Sequence, residues 1–373
     1  MSIFKFPVTR HLRPFYPAVE SHSFYRALSR PLSTTSIYRR MTSTSAPSSS
    51  STSTSSTSAA ITPKVTFPLS PVPMNPLGEG RYIKNAAALI IGDEILNGKT
   101  LDRNSHCFAQ YCFEHGVDLK RIEVIPDDEQ EIIEASRRLV ERYDFVVTSG
   151  GIGPTHDDIT YESLGKAFNQ KLVHHDETIR RMREMNKQRK WIGTQNAEQL
   201  AATHRMALFP EKAEVLFIGE DIWVPVVRLA GKLCIFPGIP TLFQKMLHGL
   251  TPFLPLPPVH ERPLRIQVFT ERPESMIAPY LTALQERMKP HGIQVGSYPV
   301  LYKGVFVSLI GRDLNNATHT DGGKIWLAEV AKEVEQEIGG RVVSEEEVAA
   351  RKALEAAPAP VPTVASTEST SMD

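Results

Sequence analysis

Three short stretches concentrate the residues that could do chemistry: Gly92–Gly98 (GDEILNG), Thr148–Thr160 (TSGGIGPTHDDIT) and Pro237–Pro240 (PGIP). In the second, Gly150, Gly151 and Gly153 remove Cβ atoms, so backbone amides can approach a phosphate and adopt unusual dihedrals. Thr148, Ser149 and Thr155 add hydroxyl donors. Asp157 and Asp158 follow at once, and adjacent carboxylates repel a phosphate unless a divalent cation bridges the two. The pattern therefore suits metal-assisted chemistry on a phosphate ester or anhydride. The residues alone leave a second reading open, in which Asp157 caps the next helix and Asp158 favours its dipole. In the first stretch Asp93 and Glu94 repeat the theme, able to ligate a metal or to hydrogen-bond a ring or ribose. Neither a Walker GxxxxGK[ST] string nor a Rossmann GxGxxG is present.

Other residues carry weaker signals. Asn104 and Ser105 read as the cap of a helix. His174–His175–Asp176 has the composition of a metal cluster, but neighbouring residues of a strand point to opposite faces. Arg180, Arg181, Arg183, Lys187, Arg189 and Lys190 read as a solvated helix face. No stretch interleaves aromatic with basic residues as single-strand binders do, which argues against a nucleic-acid partner.

The elements around these stretches follow from periodicity. The apolar run 84–92 (KNAAALIIG) predicts a buried parallel strand. Helical spacing over 104–115 ends at Gly116, a C-cap signal. A strand at 121–126, a helix capped by Asp127/Asp128 and running to about 143, and a strand at 144–148 follow. A helix from about 157 to 168, a helical basic segment over 174–205, strands near 215–218 and 232–236, and a helix over 241–250 complete the alternation. Such alternation makes a mostly parallel sheet with helices on both faces, and ligands then sit outside the carboxyl ends of the strands. Five prolines in 251–263 mark a boundary. Beyond it a strand at 264–270, a helix at 274–288, a strand pair within 294–310 and a helix at 321–338 predict a small α+β domain.

Charge divides the chain unevenly. Its 373 residues hold 42 basic and 42 acidic side chains, yet residues 1–78 carry eight basic against one acidic residue, Glu20. The remainder is 34 basic against 41 acidic, a basic leader of +7 on a body of −7. Arg10, Arg13, Arg26, Arg30, Arg39 and Arg40, interspersed with Ser and apolar residues, give residues 1–40 the character of a mitochondrial import signal. A start at Met41 would yield a cytosolic form without it. Residues 41–81, Ser/Thr-rich then Pro-rich, predict a disordered linker, and 346–373 a disordered tail. Three cysteines cannot form a disulfide framework, and no 18-residue apolar run exists to cross a membrane.

Taken together, GDEIL-x-G, Asn104–Ser105, SGGIGPTHDDIT and FPGIP resemble the molybdopterin-binding domain of the MoaB/MogA/CinA type over roughly 84–250. Residues 259–345 resemble the small extension that follows it in CinA-like proteins and eukaryotic FAD synthases, and PGIPTLFQKML is more similar to the FAD-synthase version than to the bacterial PGVP-x-E-M form. The resemblance implies a three-layer α/β/α domain (82–250) followed by a small α+β domain (259–345). It implies a small nucleotide or pterin substrate, a homo-oligomer, and one of two chemistries. MogA-type members adenylylate molybdopterin, with an acidic residue corresponding to Asp158. CinA- and FAD-synthase-type domains hydrolyse FAD or other ADP-linked dinucleotides such as ADP-ribose with a divalent metal (Mg, Mn or Co).

The second chemistry is the leading expectation, with the adenylyl transfer or a non-catalytic pterin- or flavin-binding module as alternatives. The expected catalytic residues are Asp157 and Asp158, and the expected metal ligands Asp158, Asp93 and Glu94. Substrate is expected at Gly92, Asp93, Asn104, Thr148, Ser149, Gly150, Gly151, Gly153, Thr155, Thr160, Pro237 and Gly238. Two departures stand out: Met206 replaces a glutamine of the bacterial K-Q-A-x-x-P string, and IWVPVVRL at 222–229 replaces a GTAPG stretch. Neither a deamidase domain nor the adenylyltransferase half of FAD synthase is recognisable, so only the hydrolase-like half is expected.

Overall fold

A computed structural model describes residues 65–187, 193–300, 303–312 and 327–356, with side chains to 351. The expected import leader, the Ser/Thr-rich stretch to residue 64, Arg189, Lys190 and residues 357–373 lie outside the described residues.

The first sheet has six strands in the order β2-β1-β3-β8-β7-β6. They are β1 (Asn85–Ile91), β2 (Asp118–Ile125), β3 (Phe145–Ser149), β6 (Glu214–Leu216), β7 (Val226–Leu229) and β8 (Leu233–Phe236). β2, β1, β3 and β8 run parallel, while β7 and β6 are antiparallel additions. Six of the seven β1 residues are buried because both faces are covered. Ala86, Ala88 and Ile90 face α2 (Asn104–Glu114) and α7 (Pro240–Leu250), packing with Phe108, Tyr111, Phe243 and Met246. Ala87, Leu89 and Ile91 face α3 (Glu129–Arg142) and α4 (Thr160–Ala167), packing with Ile132, Leu139, Tyr161 and Leu164. The side-chain alternation of one strand thus feeds two cores, and the domain is a three-layer α/β/α fold with a mostly parallel sheet.

Several boundaries differ from the sequence reading. The basic segment is two helices, α5 (Asp176–Asn186) and α6 (Ala197–Arg205), preceded and followed by the antiparallel pair β4 (Leu172–His174) and β5 (Leu208–Pro210). β7 escaped notice because Pro225 precedes it and Arg228 interrupts its apolar run; Arg228 is buried and satisfied by Glu214 across the β6–β7 pair. Residues 65–81 form no helix or strand, yet they are not free linker. Phe67 is buried, its amide donates to Glu220 O and that of Ser70 donates to Phe217 O. Arg181 locks this arm in place, lying over the rings of Phe67 and Phe217 and donating to Pro68 O.

The second sheet is antiparallel, ordered β10-β11-β9-β12. It comprises β9 (Leu264–Thr270), β10 (Gln294–Val300), β11 (Gly304–Gly311) and β12 (Arg341–Val343). One face packs on α8 (Glu274–Met288) and α9 (Leu327–Ile338) through Ile277, Leu284, Val330 and Val334. The other gathers Phe269, Val300, Phe306 and Val343 around Val348. Val348 belongs to α10 (Glu345–Ala356), so the folded chain continues past the expected tail boundary at 346. The short helix α1 (Asp93–Leu96) completes the described elements. Among the described residues no helix is long and apolar enough to cross a membrane.

Candidate functional site

β1, β3 and β8 are adjacent and parallel, so the three chemistry-bearing loops leave the sheet side by side at one end. Asn104, at the start of α2, bolts them together. Its Nδ2 donates to Ser149 Oγ at 2.8 Å and to Gly238 O at 2.9 Å. Ser149 Oγ in turn donates to Pro237 O, and Gly150 N to Phe236 O. Asn104 is therefore not the helix cap: Asp102 Oδ1 accepts from the amides of Asn104 and Ser105, freeing the asparagine side chain to point inward.

The glycine-rich loop is closely fitted to the protein itself. Gly150 has φ +111°, and a Cβ there would stand 2.1 Å from Ile91 O. A Cβ on Gly151, φ +64°, would stand 2.3 Å from Thr160 Oγ1, and one on Gly153 2.5 Å from Asp158 Oδ2. No side chain can replace hydrogen at these positions without moving backbone or breaking the loop. Thr160, fully buried, donates from Oγ1 to Gly150 O and from its amide to Gly151 O. The amides of Gly151 and Ile152 have no hydrogen-bond partner among the described residues, and neither do those of Gly238 and Ile239 across the gap. These four N–H groups are left available at the loop ends.

Asp157 and Asp158, alike in sequence, differ in use. The Asp158 carboxylate accepts from Gly153 N at 2.6 Å, Thr155 N at 2.9 Å and Thr155 Oγ1 at 2.5 Å. It shapes the loop with oxygens that were expected to hold the metal. Asp157 stays exposed, its acidity increased chiefly by the neighbouring Thr155 hydroxyl. Neither caps α4, whose N-cap is Ile159 with no side-chain bond, because the helix begins later than the sequence suggested. Thr148 and Ser149 are buried too, Thr148 Oγ1 without a partner, so they line the fold beneath the site instead of its surface.

Two contributors were missed. Asp127, read as a helix cap, leaves that task to Asp128, whose Oδ1 accepts from the amides of Gln130 and Glu131. Asp127 turns to the loops instead, its Oδ2 accepting from Asp93 N at 3.1 Å. Desolvation raises its pKa above the usual carboxylate range, and the charges of Asp93, Glu94 and Asp157 add to the rise against the Asp93 amide bond. Its position just past β2, at the same sheet end, was the available signal. Arg205, remote in sequence, donates to Thr155 O at 2.7 Å and Asp158 O at 2.8 Å, holding the loop from outside.

Among the described residues no three Asp, Glu, His or Cys groups form a ready-made cation site. That includes His174–His175–Asp176, where His175 instead caps α5 by accepting from Thr178 N. A hard dication is commonly held by one or two carboxylates together with substrate phosphates, and Asp93, Glu94, Asp127 and Asp157 fit that mode. They are oxygen donors only, and they repel one another around a partly buried carboxyl that a cation would relieve.

Residues 87–256 match the family model described as a probable molybdopterin binding domain. "Protein PH0439" of Pyrococcus horikoshii is 32% identical over 231 residues, which cover 60% of this chain and 88% of that protein. The chain belongs to the molybdopterin-binding domain family. A "Probable FAD synthase" of Caenorhabditis elegans is 32% identical over 237 residues, 60% of this chain and 45% of that one. The chain thus spans less than half the length of this nematode relative. The solved structure of a CinA protein of unknown function from Thermoplasma acidophilum is 29% identical, covering 46% of this chain and 97% of that one at a TM-score of 0.40. Within the family's frame, the two departures meet in space: Met206 and Trp223 both pack against the small cluster of Ile179, Met182 and Ala207.

Proposed function

We propose that the chain is a hydrolase of phosphoric anhydrides that splits FAD, or a related ADP-linked dinucleotide such as ADP-ribose, into two monophosphates. The observation that carries this reading is the meeting of unpartnered amides with a set of carboxylates at the ends of β1, β2, β3 and β8. A diphosphate needs the amides, and the carboxylates need a cation. The nematode relatives named as FAD synthases support flavin as the substrate class.

In this mechanism the amides of Gly151, Ile152, Gly238 and Ile239 hold the diphosphate oxygens and stabilise charge on the leaving phosphate. One or two of Asp93, Glu94, Asp127 and Asp157, together with the substrate phosphates, would hold a divalent ion (Mg, Mn or Co), which when bound would neutralise the diphosphate and polarise the phosphorus under attack. Water forms the new bond to one phosphorus while the bridging oxygen departs with the other, giving FMN and AMP from FAD. Asp158, Thr160, Asn104 and Arg205 are positioning residues that keep the loops in register. The test is incubation of the purified chain with FAD and each metal. Equimolar FMN and AMP are expected; no FAD cleavage here, with adenylylated molybdopterin and pyrophosphate formed in a parallel incubation with molybdopterin and ATP, would instead favour the transferase reading.

The proposal extends to location and assembly. Residues 1–40 direct the chain to mitochondria, a start at Met41 yields a cytosolic form, and the protein works as a homo-oligomer. A single unprocessed cytosolic band on immunoblotting, or a monomeric mass in sedimentation, would overturn these points.

A further inference from the structure

A second cavity lies away from the loops. A cleft of about 760 Å³ opens between the first residues of β2 and the four-stranded sheet. Its walls bring together Lys120, Arg265, His291 and Arg312, and Asp118 is the one acid among them. Lys120 already answers Asp118 at 3.0 Å. Arg265 Cζ lies over the Phe113 ring, 4.0 Å from its centroid, with no carboxylate partner among the described residues. Arg312 makes no hydrogen bond or ion pair among them either.

Several guanidinium groups elsewhere have carboxylate partners, while Arg137, Arg205 and Arg272 bond main-chain carbonyls. Arg138, Arg180, Arg228, Arg287 and Arg341 each meet a carboxylate. In a body where acids outnumber bases 41 to 34, two arginines left without carboxylates in one cleft are a local reversal of the charge balance. Held near one another, they repel, and an anion between them would relieve that repulsion. Guanidinium groups suit phosphate in particular, since their planar N–H fork binds two oxygens at once. The volume falls within the range of small-molecule sites.

We propose that this cleft binds a phosphate-bearing small molecule, with the phosphate on Arg265 and Arg312 and Lys120 beside it. It is separate from the loop site. The amino end of β2 floors the cleft, whereas its carboxyl end leads to Asp127. Eight residues at ~3.3 Å each hold the two regions roughly 25 Å apart.

Hydrogen–deuterium exchange of the full chain with AMP, ADP, inorganic phosphate or pyrophosphate tests the site by location. Slower exchange over 116–120 and 290–296 is expected, with half-saturation raised about tenfold in Arg265→Gln/Arg312→Gln, as loss of charge-assisted bonds implies. Arg312→Gln alone, which removes no contact seen among the described residues, should weaken binding in the same direction with an unchanged melting temperature. Any effect of ADP over 148–160 should survive both variants. Protection by phosphate and pyrophosphate equal to that by ADP would assign the ligand as free phosphate, and protection by AMP and ADP alone as a nucleoside phosphate. No protection of the cleft by any of the four at millimolar concentration, or protection that survives the double substitution, overturns the proposal.

Discussion

Two loops at the same end of the sheet each carry a pair of adjacent aspartates, just past β2 in one and just before α4 in the other, and each pair divides its labour in the opposite order. After β2 the first residue, Asp127, turns to the neighbouring loop, while the second, Asp128, caps α3. After β3 the first, Asp157, stays exposed, while the second, Asp158, is consumed by three bonds from its own loop. One carboxylate in each pair satisfies backbone donors that would otherwise be orphaned. The other is left with charge to offer. The lesson is that an Asp-Asp dipeptide in these loops supplies one fastener and one carboxylate left without such a task, and local hydrogen bonding decides which is which.

The comparison makes graded predictions with FAD cleavage as the readout. Asp127→Asn keeps the size and an acceptor for the Asp93 amide but removes the charge. Cleavage should fall by about 10²-fold, the scale of losing one electrostatic contributor, with a melting temperature equal to or above the parent's. Asp158→Ala should cost about 2 kcal/mol of stability, since bonds to a charged acceptor are lost, and should slow cleavage because the loop loosens. If it instead melts like the parent, Asp158 is not a fastener.

Asp128→Ala should cost about 1 kcal/mol as a lost helix cap, with kcat unchanged; a large fall in kcat would merge the roles of the two aspartates of that pair. The smallest effect is expected at Glu123, on β2 itself. Arg138, and secondarily Arg121, hold its carboxyl down to about 2 against partial burial. A depressed folded-state pKa contributes stability above the ordinary carboxylate range that is lost as pH falls toward about 2. Glu123→Gln should therefore lower stability at neutral pH by roughly 0.5–1 kcal/mol after screening. Melting curves of the two forms should converge as the pH is taken down through that window.

Much of the fold was legible because short-range patterns sufficed. The run NAAALII reads as a doubly covered strand, Gly116 ends α2 in a left-handed turn at φ +71°, and β9 and α8 fall at the residues their periodicity marks. The misreadings share one cause, which is that a distant partner changed a residue's meaning. Arg228 breaks an apolar run until Glu214 meets it, and Phe67 looks like linker until Phe217 and Arg181 enclose it. Val348 looks like tail until Phe269 and Phe306 surround it.

By itself the sequence determined the alternation of strand and helix, the three glycine-bearing loops and the expectation of an anhydride-binding site at the strand ends. Those are local facts, written in periodicity and in residues with special backbone freedom. Tertiary structure alone decided which carboxylates remain available. Asp127 and Asp158 carry the same side chain, and only the amides that reach them distinguish a group with charge to spare from one already spent. It also decided that Arg265 and Arg312 share a cleft. Residues 47 apart can meet only when β9 and β11 pair, and charge at that range has no signature in the chain.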